Sequence, residues 1–276
     1  MHILRAGAIV CLALLHSASL AKAQEVAANP SLSKAWVIDV GALFHRLDGD
    51  LSATLPSGGG GGDSFSRLGL NNYDTSFSAG LRWRFSDRWR LDLAYEEFAS
   101  NGDRGNATEI EFGRITIPAG YQLLTSFEAQ TYSAFVGYSF SKDATHEVGG
   151  RLGLSVLDAY ASVAGSTWVG GSEIVAGPQT IGVTALVPTL GLYATYALTD
   201  RLAFEGAIDG VAGSVGVYSG HYLQLTGGLK YWFTDTFAIS GGYHFLDART
   251  EKDGDAIDSR IDVRTHGAFL KASVGF

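Results

Sequence analysis

Reading back from Phe276, every second residue is apolar: Phe276, Val274, Ala272, Leu270 and Ala268. A side-chain period of two puts these five on one face of a terminal strand and Gly275, Ser273, Lys271 and Gly267 on the other. A strand divided in this way must cover its apolar face, either with a protein core or with lipid, and the rest of the chain has to show which.

Four short segments share one pattern, an aromatic residue or Leu, then Ser or Thr, then charge: Phe85-Ser86-Asp87-Arg88-Trp89, Phe140-Ser141-Lys142-Asp143, Leu198-Thr199-Asp200-Arg201 and Phe233-Thr234-Asp235-Thr236-Phe237. They read as tight periplasmic turns. Alternating segments of about ten residues flank them, the length a tilted strand needs to cross hydrocarbon. Longer polar segments lie between: 48–74, 100–122, 159–183, 214–218 and 248–261 read as extracellular loops. Short and long connections alternate, which predicts an all-β, antiparallel up-and-down transmembrane barrel of about ten strands. The expected strand cores are 35–45, 75–85, 89–98, 130–140, 147–157, 186–198, 202–212, 222–233, 237–246 and 263–276. Eight or twelve strands stay open, because Glu109 to Ile117 has the composition to pair outside the membrane.

Carrying the parity back from Phe276 assigns one face to Trp36, Ile38, Val40 and Phe44, to Leu81, Trp83 and Phe85, to Trp89, Leu91 and Tyr95, and to their equivalents on later strands. That face is nearly free of charge. Trp83, Phe85, Trp89, Tyr138, Phe140, Tyr196, Tyr231, Phe233, Phe237 and Phe276 gather beside the short turns, where amphipathic rings settle at a membrane interface. A soluble barrel or sandwich produces the same alternation but directs its large aromatics inward. Here aromatics and leucines share one face, while glycine and charge share the other.

Met1 to Ala23 has a basic Arg5, an apolar stretch from Ala6 to Leu15 and a small-x-small end at Ala21-Lys22-Ala23, which reads as a cleaved signal peptide. The stretch is short of the roughly 20 residues a membrane-spanning helix needs. The expected organisation is a signal peptide at 1–23, a short periplasmic segment at 24–34 and a barrel over 35–276. Cys11, the one cysteine, falls in the leader, which excludes disulfides and thiolate chemistry downstream. Removing Arg5 and Lys22 takes the net charge from -8 to -10 and leaves no broad basic surface for nucleic acid.

The other face carries Asp39, Arg82, Arg84, Arg90, Asp92, Glu96, Glu147, Arg151, Glu205, Asp209, Lys230, His244 and Lys271, six basic and six acidic groups with one histidine. A wide ion-selective pore more often shows one dominant sign. Balanced charges in a narrow barrel pair instead, since unpaired charge is costly where water is scarce. About ten strands leave an interior that side chains largely fill. Arg82, Arg84 and Arg90 near the periplasmic end are the residues that would bias any thin pathway towards anions.

Catalysis and metal binding find weaker support. His244 with Asp247 is the best-placed acid–base pair, but a spacing of three along a strand reverses the face. His45 reads as a polar lumen or rim residue. Glu251, Asp253, Asp255 and Asp258 beside Gly254 supply hard oxygen ligands in a spacing unlike an EF-hand, so a solvated acidic loop is expected, and no metal, cofactor or catalytic residue is assigned. Gly58 to Gly62 lacks a following GK[ST] and reads as a flexible linker within a surface loop.

With the terminal Phe276, the four turns and the segment Leu81-Arg82-Trp83-Arg84-Phe85-Ser86-Asp87-Arg88-Trp89-Arg90-Leu91-Asp92-Leu93 in view, the chain resembles small Gram-negative outer-membrane β-barrel proteins of the porin-like and opacity-protein type. It is also similar to uncharacterised barrels sharing the Arg-Trp-Arg-Phe turn and a first-loop Leu-Gly-Leu, here Leu68-Gly69-Leu70. The resemblance implies the cell outer membrane, contact with lipid and lipopolysaccharide, and transient handling by periplasmic chaperones and the barrel assembly machinery. The machinery's signal maps onto Leu270, Ala272, Val274 and Phe276. The first functional expectation is a structural barrel or a narrow passive channel, without enzymatic activity. The alternatives are a surface-binding or adhesive barrel using loop aromatics Phe65, Phe112 and Trp168, and a rim enzyme modifying lipid or peptide through His244 or His45.

Overall fold

The computed structural model describes residues 29–276 apart from 55–59, 71–72, 106–108, 113–114, 170–171, 216–217 and 253–257. The signal peptide expected at 1–23 lies outside the described residues. Ten strands form one antiparallel meander: β1 (Trp36–Thr54), β3 (Tyr73–Arg84), β4 (Trp89–Gly105), β7 (Gln122–Lys142), β8 (His146–Val169), β9 (Ser172–Ala197), β10 (Leu202–Val215), β11 (Tyr218–Trp232), β12 (Phe237–Lys252) and β13 (Asp258–Gly275). Pairing of β13 with β1, from Val37 opposite Gly275 to Thr54 opposite Asp258, closes the barrel and leaves no edge in the hydrocarbon region. Reciprocal bonds between Trp36 and Phe276, at 2.9 and 3.0 Å, seal the seam at its short-turn end. The small β2 (Gly60–Ser64) adds to the upper part of β1, and β5 (Ile110–Phe112) pairs only with β6 (Ile115–Ile117). Glu109 to Ile117 therefore contributes a separate hairpin, and the wall has ten strands.

The predicted parity holds on every strand. Along β7 exposed and buried residues alternate from Gln122 to Phe140, with Tyr132, Val136, Tyr138 and Phe140 outward. Near the short turns the outward rings pack on each other: Trp36 stacks on Trp83 at 5.0 Å, and Trp89 meets Tyr138 at 4.9 Å. The repeated Ser/Thr of the turn motif has a structural reason. Thr199 Oγ1 accepts from the Leu202 N–H at 2.9 Å and Thr234 Oγ1 from the Phe237 N–H at 3.0 Å, so the hydroxyl ties the turn where the ladder stops. In the second hairpin the strand runs on to Lys142 past an irregularity at Ser139/Ser141, and Asp143 takes the capping role, accepting from the N–H groups of Thr145 and His146.

Three expectations need correction. The segment 159–183 is mostly strand, because β8 and β9 pair from His146 opposite Tyr196 up to Val169 opposite Ser172, with one register shift between Val163 and Gly165. A ladder that satisfies its own backbone extends beyond the bilayer as readily as within it, so hydrocarbon thickness does not bound strand length. Within the first loop, Gly60–Gly62 are in β2 rather than a flexible linker, while Gly58 and Gly59 lie outside the described residues. The same loop then turns inward: Phe65, Leu68 and Leu70 are buried within the barrel, so Phe65 is no surface anchor. The side chains of Phe112 and Trp168 lie outside the described residues.

The segment placed at 24–34 as a short periplasmic lead is folded where it is described. Asn29 caps the single-turn helix α1 (Pro30–Ser33), its side chain accepting from the Ser31 N–H at 2.9 Å, with Pro30 in the first turn. Asn29, Ser31 and Leu32 are almost fully buried. Trp232, itself completely buried, donates from Nε1 to Ser31 Oγ at 2.9 Å, and Asn29 donates to the Thr199 carbonyl at 2.9 Å. Helix α1 therefore sits in the mouth of the barrel at its short-turn end.

Candidate functional site in the lumen

Above α1 the inward positions bring the charged residues together. Arg84 donates to Glu147 Oε1 at 2.6 Å and to the Ser31 carbonyl at 3.1 Å, which joins the helical stopper to the wall. Glu147 is fully buried and also accepts from Ser139 Oγ at 2.5 Å. Arg90 binds Asp92 at 2.9 Å with its guanidinium 3.3 Å from the centre of the Tyr193 ring, and Tyr193 reaches Ser139 at 2.9 Å. Arg82 bridges Asp92 and Glu205 at 3.4 and 3.5 Å. Arg151 grips Asp209 with two bonds, approaches Asp92 at 3.6 Å and lies over the Phe135 ring at 4.4 Å. Lys230 spans Asp39 at 3.0 Å and Glu205 at 3.4 Å, and Asp39 also takes the Ser273 hydroxyl.

The ion pairs link six strands, β1, β3, β4, β8, β10 and β11, into a cross-lumen lattice of cationic side chains and carboxylates. The candidate anion-biasing residues Arg82, Arg84 and Arg90 are all engaged in it. Lys271 stands apart, with Nζ 5.3 Å from the centre of the Phe269 ring. Higher up, Glu96 meets His244 at 3.7 Å, Gln224 bridges the two at 3.3 and 2.9 Å, and Tyr222 donates to Gln224 at 2.5 Å. His45 is buried edge-on to Phe98 at 4.8 Å.

Glycine makes room for this packing. A Cβ on Gly191 would sit 2.0 Å from Asp209 Oδ1, and one on Gly149 would sit 2.3 Å from the Tyr193 hydroxyl. Only residues without a side chain let the opposing groups reach the wall.

The outer half of the interior is apolar. Leu43, Leu47, Phe65, Leu68, Phe98, Ile117, Leu123, Phe127, Val163 and Ile181 belong to one buried cluster, with Phe65 5.0 Å from Phe127. Thr125 Oγ1 donates to the Leu68 carbonyl at 2.8 Å and fixes the infolded loop. Sequence reasoning missed this layer, although Leu43 and Leu47 already stood at inward parity. In the lumen, a polar void of about 60 Å³ beside Asp92, Glu96, Ser133, Arg151 and Gln224 has room for a few waters, and an apolar void near Phe98, Phe127 and Leu246 measures about 20 Å³.

His244 and Asp247 face opposite sides of β12, as their spacing requires. His244 is buried inside, whereas Asp247 points outward, 3.1 Å from His221 and 2.8 Å from Arg264. Partial burial works to raise the Asp247 carboxyl, but hydrogen bonds from His221 and Arg264 hold it below the ordinary carboxylate range. A depressed folded pKa gives stability that is present above the unfolded value near 3.9 and is lost as pH falls through the folded one. Asp247→Asn is therefore expected to cost about 0.5–1 kcal/mol in urea unfolding at pH 7, and the difference should shrink below about pH 4. An unchanged difference at pH 3 would contradict the assignment. Asp247 and Glu251 are thus held by arginines, while Asp253 and Asp255 of the acidic loop lie outside the described residues.

No protein-family model matches the sequence, and no curated protein sequence matches it. Solved structures do. The outer membrane protease OmpT of Escherichia coli superposes with a TM-score of 0.55 at 11% identity, over 87% of this chain and 97% of that one. The fold is that of the outer-membrane β-barrels. Weaker likenesses reach the outer membrane protein OprG of Pseudomonas aeruginosa (TM-score 0.37, 11% identity, 91% and 100% of the two chains) and Neisserial surface protein A (TM-score 0.33, 13% identity, 88% and 97%). At these identities the likeness concerns the fold alone.

Proposed function

We propose that the protein is an integral barrel of a Gram-negative outer membrane, with a structural role and a lumen closed to ions and small solutes. The carrying observation is that the inward charges engage one another rather than line a path: Arg82, Arg84, Arg90, Arg151 and Lys230 each meet a carboxylate within 4.0 Å. Helix α1 below them and the apolar layer above add two further closures. Of the two first expectations, structural barrel and narrow channel, this favours the former.

A catalytic role is not part of the proposal. The likeness to a protease brings no activity at 11% identity, since fold and chemistry are separable. His244 is bonded to Gln224 and lies near Glu96, and neither supplies a nucleophilic hydroxyl. Surface binding remains a second reading, supported by the 24 and 26 residues of β8 and β9, more than twice what the bilayer needs, with Tyr160, Ile174 and Val175 exposed.

Osmotic swelling of liposomes holding the folded chain from Gln24 tests the proposal. Swelling in small sugars and amino acids is expected to match protein-free liposomes. Deleting residues 24–34 is expected to leave it unchanged, because the apolar layer still closes the outer half. Rapid swelling of the full chain would overturn the closed-lumen reading.

A further inference from the structure

We infer that Ser141, His146 and Asp143 form a hydrolytic site at the short-turn rim of the barrel, cleaving carboxylic esters of long-chain acids drawn from the membrane beside it; this rests on the membrane placement proposed above and not on the closed lumen. Ser141 Oγ lies 2.8 Å from His146 Nε2, and His146 Nδ1 lies 3.0 Å from Asp143 Oδ2. Asp143 Oδ2 accepts when Nδ1 carries the ring proton, which turns the lone pair of Nε2 towards the Ser141 hydroxyl. Nucleophile, base and orienting carboxylate therefore stand in the order that acyl transfer requires, whatever their order in the chain.

The three groups are held in place. Asp143 Oδ1 accepts from the Thr145 N–H at 2.7 Å, the Thr145 hydroxyl at 2.8 Å and the His146 N–H at 2.9 Å, which fixes the carboxylate and leaves Oδ2 for the ring. Capping the turn needs Oδ1 alone, so the Oδ2–His146–Ser141 chain is surplus to it. None of the other three short turns carries a histidine. The His146 ring stacks on Tyr196 at 5.8 Å and 19°. Ser141 reaches this face through the register shift between Ser139 and Ser141: plain alternation would turn it inward with Ser139, which is fully buried, but Ser141 is exposed.

The surroundings define the substrate. An apolar trough of about 920 Å³ on the outward face is lined by Trp89, Val136, Tyr138, Gly150, Leu152 and Leu190. Its lower end, at Tyr138 and Gly150, is two or three residues up β7 and β8 from Ser141 and its partner Val148. An acyl chain lying in the trough brings its ester carbonyl down to Ser141, at the level of the aromatic rings. Arg88 donates from Nη1 to the Phe140 carbonyl at 3.4 Å, beside the peptide that leads into Ser141, and its remaining N–H groups have no partner among the described residues. Ser141 Oγ attacks the carbonyl carbon as Nε2 takes its proton, and Arg88 supplies charge-assisted donors to the oxyanion. The bond to the alcohol oxygen then breaks, and that oxygen takes the proton from Nε2. Water attacks the acyl-serine by the same route, gives its proton to His146 and releases the acid and free Ser141. Asp143 acts through His146 as a positioning residue.

The folded full chain, purified in dodecylmaltoside, is treated with a fluorophosphonate, and the adduct is located by peptide mass spectrometry; hydrolysis of p-nitrophenyl acetate and p-nitrophenyl octanoate is measured alongside. The adduct is expected on Ser141, with kcat/KM about tenfold higher for octanoate than for acetate. Ser141→Ala and His146→Ala are expected to lower octanoate hydrolysis about 100-fold, whereas Ser86→Ala, in the first short turn, should keep it. Asp143→Asn retains an Oδ1 acceptor for the turn and is expected to lower kcat about tenfold with KM unchanged. A Cβ on Gly150 meets nothing closer than 3.8 Å, so Gly150→Leu fits, fills the lower trough and should slow octanoate about tenfold while sparing acetate. No adduct on Ser141, or undiminished hydrolysis by a Ser141→Ala barrel that passes the heat-shift assay, would overturn the inference. Equal rates on the two esters would overturn the acyl-chain assignment. If Ser141→Ala does not fold, the adduct on the parent chain decides alone. A chain that swells liposomes yet hydrolyses the octanoate through Ser141 would sink the closed lumen and leave this site standing.

Discussion

Replacing Glu147 with alanine is expected to destabilise the folded barrel by about 3–5 kcal/mol, read as a fall in the urea midpoint of unfolding. Glu147 is fully buried, bonded to Arg84 at 2.6 Å and to Ser139 at 2.5 Å, and 4.0 Å from Arg90. Removing it leaves Arg84 and Arg90 facing each other with one carboxylate fewer, in an interior where water replaces it poorly. The cost is the uncompensated cationic charge rather than the lost bond itself. Glu128→Ala, which removes an exposed carboxylate of β7, serves as the control and is expected to stay within about 0.5 kcal/mol. Equal midpoints for the two variants would mean that Glu147 is hydrated and the lattice open.

The second large effect is expected at Arg151. Its guanidinium holds Asp209 with two bonds, and Asp209 is 2% exposed, so Arg151→Ala strands a buried carboxylate and uncovers the Phe135 ring; the expected loss is again about 3–5 kcal/mol. Arg104→Ala is the comparison. Arg104 is exposed and donates to the Ser66 carbonyl at 2.6 Å, a bond worth about 1 kcal/mol. Similar urea midpoints for Arg151→Ala and Arg104→Ala would place Arg151 outside the lumen and break the register of β8.

Much of this architecture was legible because period two is a local property. Phe276, Val274, Ala272 and Leu270 announce their face without reference to any other strand, and Phe276 and Leu270 are indeed exposed at 58% and 54%. The same parity put twelve charged residues and His244 inside, where the structure finds them. The turns were legible because Thr199 and Thr234 cap them within three residues.

What escaped was long-range. Nothing around Asn29 to Ser33 says that Trp232, about two hundred positions away, will bond Ser31 and draw the segment into the barrel mouth. Phe65 and Leu68 sit in a glycine-rich stretch that reads as solvent-facing, and only the cavity above the charged layer gives them a reason to turn inward. Strand ends escaped for a different reason. The bilayer sets a minimum length for β8 and β9, while their upper limit depends on how far cross-strand pairs such as Ser162 opposite Thr180 continue to form. The pairing of Asp247 with His221 was hidden as well, because the partner lies across the β11–β12 register rather than along β12.

Single-channel recording of the refolded chain in a planar bilayer, at asymmetric salt, tests the closed lumen most directly. A folded, inserted barrel that stays electrically silent, while its heat-shift assay confirms the barrel, is the predicted result. Discrete openings with a stable selectivity would contradict it, and would mean that α1 and the Arg84–Glu147 layer part to let ions through.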